Sequence, residues 1–309
     1  MSVLGELRTL TKRPGRGRVK HRDNRAGYLF LLPWFAGLLL ITAVPMVASL
    51  YLSFTRFNLL QPPEFTGTAN FARILGDDRL WKSLAVTFEY VFVSVPIQLA
   101  LALVLAVVLD KGVRGLAIYR SVYYLPSLIG GGPAIAILWK QVFGSDGLVN
   151  YALEFFGIQG QSWVANPSTA LSTLVTLNVW TFGAPMVIFL AGLRQIPAEY
   201  LEAAKVDGAG SVRRFWSIIV PLLTPMIFFN FVLQIIHAFQ SFTQAFIVSG
   251  GTGGPADSTL FYTLYLYLQG FGNLQMGYAS ALAWLLLVIV AVFTAVNFFL
   301  AKYWVFYDD

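Results

Sequence analysis

An all-α membrane protein with six transmembrane helices and both termini cytoplasmic is the fold class this sequence predicts. Three observations predict it. The 309-residue chain is 57% hydrophobic and only 12% charged, with a mean hydropathy of +0.67. Soluble domains carry about 25% charged residues. Its apolar residues gather into six runs, each long enough to cross a hydrocarbon core of about 30 Å, which takes roughly 20 helical residues. Its Lys and Arg residues are unevenly divided among the connections. Backbone groups in lipid must be paired within their own segment, so the runs are helices and not an open sheet.

Residues 1–27 form a basic tail holding Arg8, Lys12, Arg13, Arg16, Arg18, Lys20, Arg22 and Arg25. The first apolar run follows, from about 28 to 54. A cleavable signal peptide has a shorter apolar core of about 7–15 residues, so this run is a retained span. A basic tail abutting a span reads as a cytosolic anchor, and no nucleic-acid partner is expected. Further spans lie near 83–109, 121–143, 168–193, 225–246 and 276–304, with a short tail at 307–309. Within the third, Gly130-Gly131-Gly132-Pro133 suits close helix packing or a kink. With the N-terminus inside, sixteen Lys and Arg fall on the cytoplasmic side and four outside: Arg56, Arg73, Arg79 and Lys82. Lys140 sits near the outer end of the third span. The chain has no cysteine, which removes disulfides, thiolate metal sites and cysteine nucleophiles.

The connection between the fourth and fifth spans, about 194–221, is compact and polar. It reads Glu202-Ala203-Ala204-Lys205-Val206-Asp207-Gly208-Ala209, followed by Phe215, Ile218, Pro221 and Pro225. This pattern predicts two short helices broken at Gly208, where a positive φ is available. Pro221 and Pro225 are expected to limit the second helix and start the next span. Ala203 and Ala204 let a partner's backbone approach closely. The run resembles the EAA loop of permease subunits from bacterial binding-protein-dependent ABC importers, and its longer pattern resembles the carbohydrate-uptake branch. The likeness extends through Phe65-Thr66-Gly67, Asn70-Phe71, Tyr124-Leu125-Pro126, Trp139, Leu190-Ala191-Gly192-Leu193, Ile196-Pro197 and Gly277-Tyr278-Ala279. Val220 and Val86 depart from the pattern.

The resemblance implies a six-helix importer domain over 28–306 in the bacterial cytoplasmic membrane. It implies a second homologous permease subunit, two nucleotide-binding ATPase subunits and an extracytoplasmic solute-binding protein as partners, within membrane lipid. Glu202, Ala203, Ala204, Asp207 and Gly208 would then fit a cleft on the ATPase. No Gly-x-x-x-x-Gly-Lys-Ser/Thr loop is present. No cofactor is therefore expected in this chain, and ATP and Mg would be bound by the partner. External docking candidates are the loops around Trp163 and Gly254.

Asn230, Gln234, His237, Ser241 and Gln244 in the fifth span are spaced to share one helical face. Gln240 flanks the stripe. Asn178 and Thr181 offer similar groups in the fourth span, beside Trp180. Polar side chains in a bilayer face the bundle interior or a water-filled cavity. Amides and hydroxyls beside aromatic rings suit a sugar. They equally suit bridging neighbouring helices, and both readings stand at this stage. The later spans hold no central Arg or Lys to meet an anion, which favours a neutral sugar or oligosaccharide. A gradient-driven secondary transporter or channel, working through Glu89 and His237, is the alternative; it needs no ATPase dock. A membrane-embedded enzyme has no support, since the spans hold no clustered carboxylates and no paired-histidine metal motif.

Overall fold

A computed structural model describes residues 22–112 and 115–306. Residues 1–21 of the expected basic tail, Arg114 and the 307–309 tail lie outside the described residues. The chain divides into two units, Met1–Tyr51 and Leu52–Asp309. Helix α1 (Arg22–Gly37) begins within the tail expected at 1–27. It continues through a π-helical stretch, Leu38–Ala43, into α2 (Val44–Ser53). Pro45 sits just after that wide turn. It lacks an N–H for the carbonyl four residues back, which loosens the helix there.

The second unit opens on a minimal hairpin, β1 (Thr55–Arg56) and β2 (Glu64–Phe65), antiparallel with Thr55 opposite Phe65. It is the one sheet among the described residues and a small correction to an all-α expectation. After α3 (Ala69–Leu75) comes α4 (Asp78–Asp110), 33 residues long and capped by the Asp77 carboxylate on Leu80 N. At 1.5 Å per residue it spans about 50 Å, more than a hydrocarbon core. It packs against α8, α9, α12 and α14 (Ala170–Trp180, Gly183–Leu193, Val220–Phe239 and Tyr262–Tyr267), and Val91, Val95, Ala102 and Ala106 on its inner face are fully buried. The small alanines permit close helix approach.

The third and fourth apolar runs are broken rather than straight. α5 (Leu116–Ile129) and α6 (Pro133–Val142) meet at 98° across Gly130–Gly132. A short α7 (Leu148–Glu154) follows in the connection. α8 (Ala170–Trp180) and α9 (Gly183–Leu193) meet at 40° across Thr181 and Phe182. α9 starts against α5 so closely that a Cβ on Gly183 would lie 2.0 Å from Tyr123 O. Among the described residues, four helices are long and apolar enough to cross a membrane, or up to six if each bent pair is one span.

The connection that follows begins with α10 (Ala198–Val206). The second expected short helix is not separate. α11 (Ser211–Arg214) runs through a π-helical turn, Phe215–Ile219, into α12 (Val220–Phe239). The two prolines do not end it, because neighbouring groups satisfy what they leave open. Pro225 leaves the carbonyl of Pro221 without a helical N–H, and Thr224 Oγ1 donates to it at 2.6 Å. Then come α13 (Thr243–Val248), α14 (Tyr262–Tyr267) and α15 (Met276–Trp304).

Polar ties gather at the two ends of this unit. At one end Arg79 pairs with Asp257 at 2.8 Å, Arg73 Nη1 donates to Gln275 at 2.6 Å, and Tyr265 and Tyr278 donate to Asp77 Oδ2 at 2.6 Å each. At the other Arg194 approaches Asp110 at 3.7 Å, and Phe306 N donates to Thr224 Oγ1 at 2.9 Å.

Candidate functional site

Three interruptions of regular helix meet at one cavity of about 290 Å³. α5 stops before Gly130, α8 stops before Thr181, and α12 stops at Phe239 and resumes as α13 at Thr243. Irregular backbone at membrane depth is tolerated only where protein buries it or where it lines a cavity. The walls hold Gly130 and Gly131, Asn178 and Thr181, and Gln234, His237, Ser241 and Gln244, with Tyr90 and Ser127 beside them. None of the lining residues is Lys, Arg, Asp or Glu. The wall therefore offers amides, hydroxyls and an imidazole, which can donate and accept without fixing a charge.

Not every predicted residue reaches this cavity. Asn178, Thr181, Gln234, His237 and Ser241 line it together. Asn230 is buried to 1% exposure and donates to Met226 O of its own helix at 3.0 Å. Gln240 is exposed and does not line the cavity. The helix break explains Gln240, which occupies the C-cap of α12. Ser241 and Gln244 keep their place past the break because Thr263 Oγ1 donates to Ser241 O and Gln244 Nε2 donates to Gly130 O at 3.2 Å. Glu89 lies on the exposed side of α4 and is not in the wall, so it does not form a pair with His237.

Residues from runs that the stripe did not include support the wall. Ser127 Oγ donates to Thr181 O at 2.9 Å and accepts from Ala184 N at 2.9 Å. Gln98 Nε2 donates to Asn178 O at 2.9 Å and to Thr181 Oγ1 at 3.0 Å, and Asn178 Nδ2 donates to Ser94 Oγ at 3.0 Å. A Cβ on Gly130 would lie 2.4 Å from Thr181 Cγ2, so the two breaks touch. Sequence reasoning missed Gln98 and Ser127, although each is a polar residue inside an apolar run.

The second candidate element is the connection before α12. Gly208 takes φ +77°, Gly208 N donates to Lys205 O at 3.0 Å and Ala209 N to Ala204 O at 2.8 Å. Those paired bonds close a helix on a left-handed residue, the Schellman ending. Glu202, Ala203, Asp207 and Gly208 are exposed, and Ala204 is half-buried. Val206, Val212 and Trp216 are also exposed, at 88%, 71% and 65%. Apolar side chains standing out of this connection can be covered by a partner subunit or by lipid. These three were not read from the sequence.

A larger cavity, about 590 Å³, lies at the opposite end between the hairpin and the start of α15. Size does not assign it a role, since it is far from the helix interruptions. Beside it, burial raises the Asp77 carboxyl, but hydrogen bonds from Tyr265, Tyr278 and Leu80 N, with the Arg73 charge, outweigh that and hold it below the usual range. The Trp163 indole is taken up inside its own loop, donating to Asn150 Oδ1 at 2.7 Å. The Gly254 loop is tied by Arg79 to Asp257.

The chain matches known proteins over most of its length. Residues 68–304 match the family described as binding-protein-dependent transport system inner membrane component. A probable ABC transporter permease protein of Bacillus subtilis, YesP, is 52% identical over 95% of this chain and 96% of its own. The lactose transport system permease protein LacF of Rhizobium radiobacter is 32% identical over 93% and 97%. A chain from the crystal structure of a bacterial alginate ABC transporter, in complex with an alginate pentasaccharide-bound periplasmic protein, superposes with a TM-score of 0.78. That match covers 91% of this chain and 95% of the other at 19% identity, and so bears on the fold alone.

Proposed function

The chain belongs to the family of binding-protein-dependent transport system inner membrane components, and from that premise we propose how it works. It is a permease subunit of an ATP-driven sugar importer, and it is not itself an enzyme. It forms half of the translocation path for a neutral sugar or oligosaccharide. A second homologous permease supplies the other half, and an extracytoplasmic binding protein delivers the substrate. Two ATPase subunits bind ATP and Mg. Both termini are cytoplasmic, and the two bent helix pairs count as the third and fourth of six spans.

The observation that carries the substrate assignment is the cavity wall. It offers amides, hydroxyls and an imidazole with no Lys, Arg, Asp or Glu, at the meeting point of three interrupted helices. An anionic ligand is ordinarily met by Arg or Lys side chains, and the wall supplies neither. Asn178, Thr181, Gln234, His237 and Ser241 take the roles of hydroxyl partners. The connection at 198–216 docks on the ATPase through Glu202 and the exposed Val206, Val212 and Trp216. Closure of the nucleotide sites moves this element, and its continuity with α12 passes the motion to the cavity.

The experiment is co-purification and uptake. Glu202-Ala203-Ala204 is replaced by Arg-Leu-Leu in the complete transporter. Loss of an ATP-hydrolysing partner together with ATP-dependent uptake is expected. Uptake driven by an ion gradient, with no ATPase present, overturns the proposal. The position of Glu89 outside the cavity wall already disfavours that gradient-driven reading.

A further inference from the structure

We propose that Gln98 is a positioning residue, which fixes the break in the fourth apolar run so that Asn178 and Thr181 face the cavity. This rests on the reading of that cavity as the substrate path. Gln98 comes from α4, is 1% exposed and forms no part of the cavity wall. Where α8 stops, its last carbonyls lose their regular helical partners. The Asn178 carbonyl there accepts from Thr181 N at 3.1 Å and from Thr181 Oγ1 at 2.7 Å, and Gln98 Nε2 joins that cluster from another helix, donating to Asn178 O at 2.9 Å and to Thr181 Oγ1 at 3.0 Å. Ser127 secures the other side of the break, through Thr181 O and Ala184 N.

The orientation of the Gln98 amide is fixed by its donors. Turning it over would set its oxygen against the carbonyl of Asn178. In the observed orientation Oε1 is buried with no partner among the described residues. A buried unpaired acceptor is unfavourable. A residue serving only to fill space would be better replaced by Leu. Its two donated bonds are what Gln98 provides that Leu would not, and departures of this kind concentrate at functional sites.

The chain has no cysteine, which makes the test direct. Gly131 lines the cavity and has open space where a side chain would stand. Gly131→Cys is introduced into the full chain, assembled with its partner subunits in membranes. Its labelling by 2-sulfonatoethyl methanethiosulfonate is followed by the mass gained on this subunit. Gln98→Leu should change the labelling rate about tenfold, the shift that one ordinary hydrogen bond supports. Gln98→Glu should return it to within about threefold, since a buried carboxyl stays protonated and keeps one donor. An unchanged rate in Gln98→Leu, with normal amounts of subunit, overturns the proposal. If Gln98→Leu does not accumulate, Ser127→Ala is read in the same way. Failure of both to accumulate shows a purely structural role and also overturns it. Labelling needs no sugar, so this result stays separate from the substrate assignment.

Discussion

Asp77 shows how a single side chain can anchor one end of the molecule. Its carboxylate caps α4, accepts two tyrosine hydroxyls and lies near Arg73, whose guanidinium stacks 4.0 Å above the Tyr278 ring. Its carboxyl is held below the usual range, so it adds stability that is complete above its unfolded pKa, about 4. That stability is lost as pH falls through the lower folded value. Thermal unfolding of the purified protein should therefore show a drop in stability below about pH 4 that Asp77→Asn abolishes. At neutral pH the same variant should lose on the order of 1 kcal/mol, after discounting for solvent screening. An unaltered acid limb in the variant would remove Asp77 from this role. Inside the membrane, neighbours on one helix separate by function. Gln234→Leu should raise the KM for uptake roughly tenfold while assembly is retained, through one lost hydrogen bond. Asn230→Leu should leave KM unchanged and lower the unfolding temperature, because its amide only serves its own helix. Equal KM effects from both would favour plain helix packing.

At the scale of elements, the connection at 198–216 joins a rigid closure to an exposed apolar surface. Gly208 is required by its φ of +77°, where other residues are strained and proline is excluded. Gly208→Pro should leave the subunit in the membrane but uncouple ATP hydrolysis from uptake. Normal coupled uptake in that variant would count against the docking role. Trp216, 65% exposed, is the strongest anchor candidate. Trp216→Ala should weaken binding of the ATPase about 30-fold, in line with a 2 kcal/mol interface anchor, as read by titration of the purified partner. The run of helix from 211 into α12 makes this connection continuous with the cavity wall that carries Gln234 and His237. A docking helix ending at Pro221 would have left the two joined only by a loop.

At the scale of the whole molecule, the orientation is testable from both sides, again because there is no native cysteine. Lys205→Cys should be labelled by impermeant maleimide only from the cytoplasmic face, and Gln159→Cys only from outside. The reverse pattern would separate the docking connection from ATP and overturn the mechanism. An exposed Glu89 on a span-length helix also bears on assembly. A carboxyl facing lipid is costly, so that side of α4 is expected to meet protein or water in the complete transporter.

Much of this was legible in the sequence for a plain reason. Hydrophobic length and the turn chemistry of Gly208 are local quantities, and local quantities can be read along a chain. The 230-234-237-241-244 spacing located the cavity-lining side of the fifth run, and Gly130–Gly132 was read as a possible kink. What only the tertiary structure decided were relations between distant segments. It separated Asn230, which turns its amide to its own backbone, from Gln234 and His237, which reach the cavity. It carried α12 through Pro221 and Pro225, since a Thr224 hydroxyl could meet a freed carbonyl. It brought Gln98 and Ser127, from two other runs, onto one helix break. Periodicity records which residues share a face of one helix. Which neighbour supplies the missing hydrogen bond depends on packing, and no single run of sequence contains it.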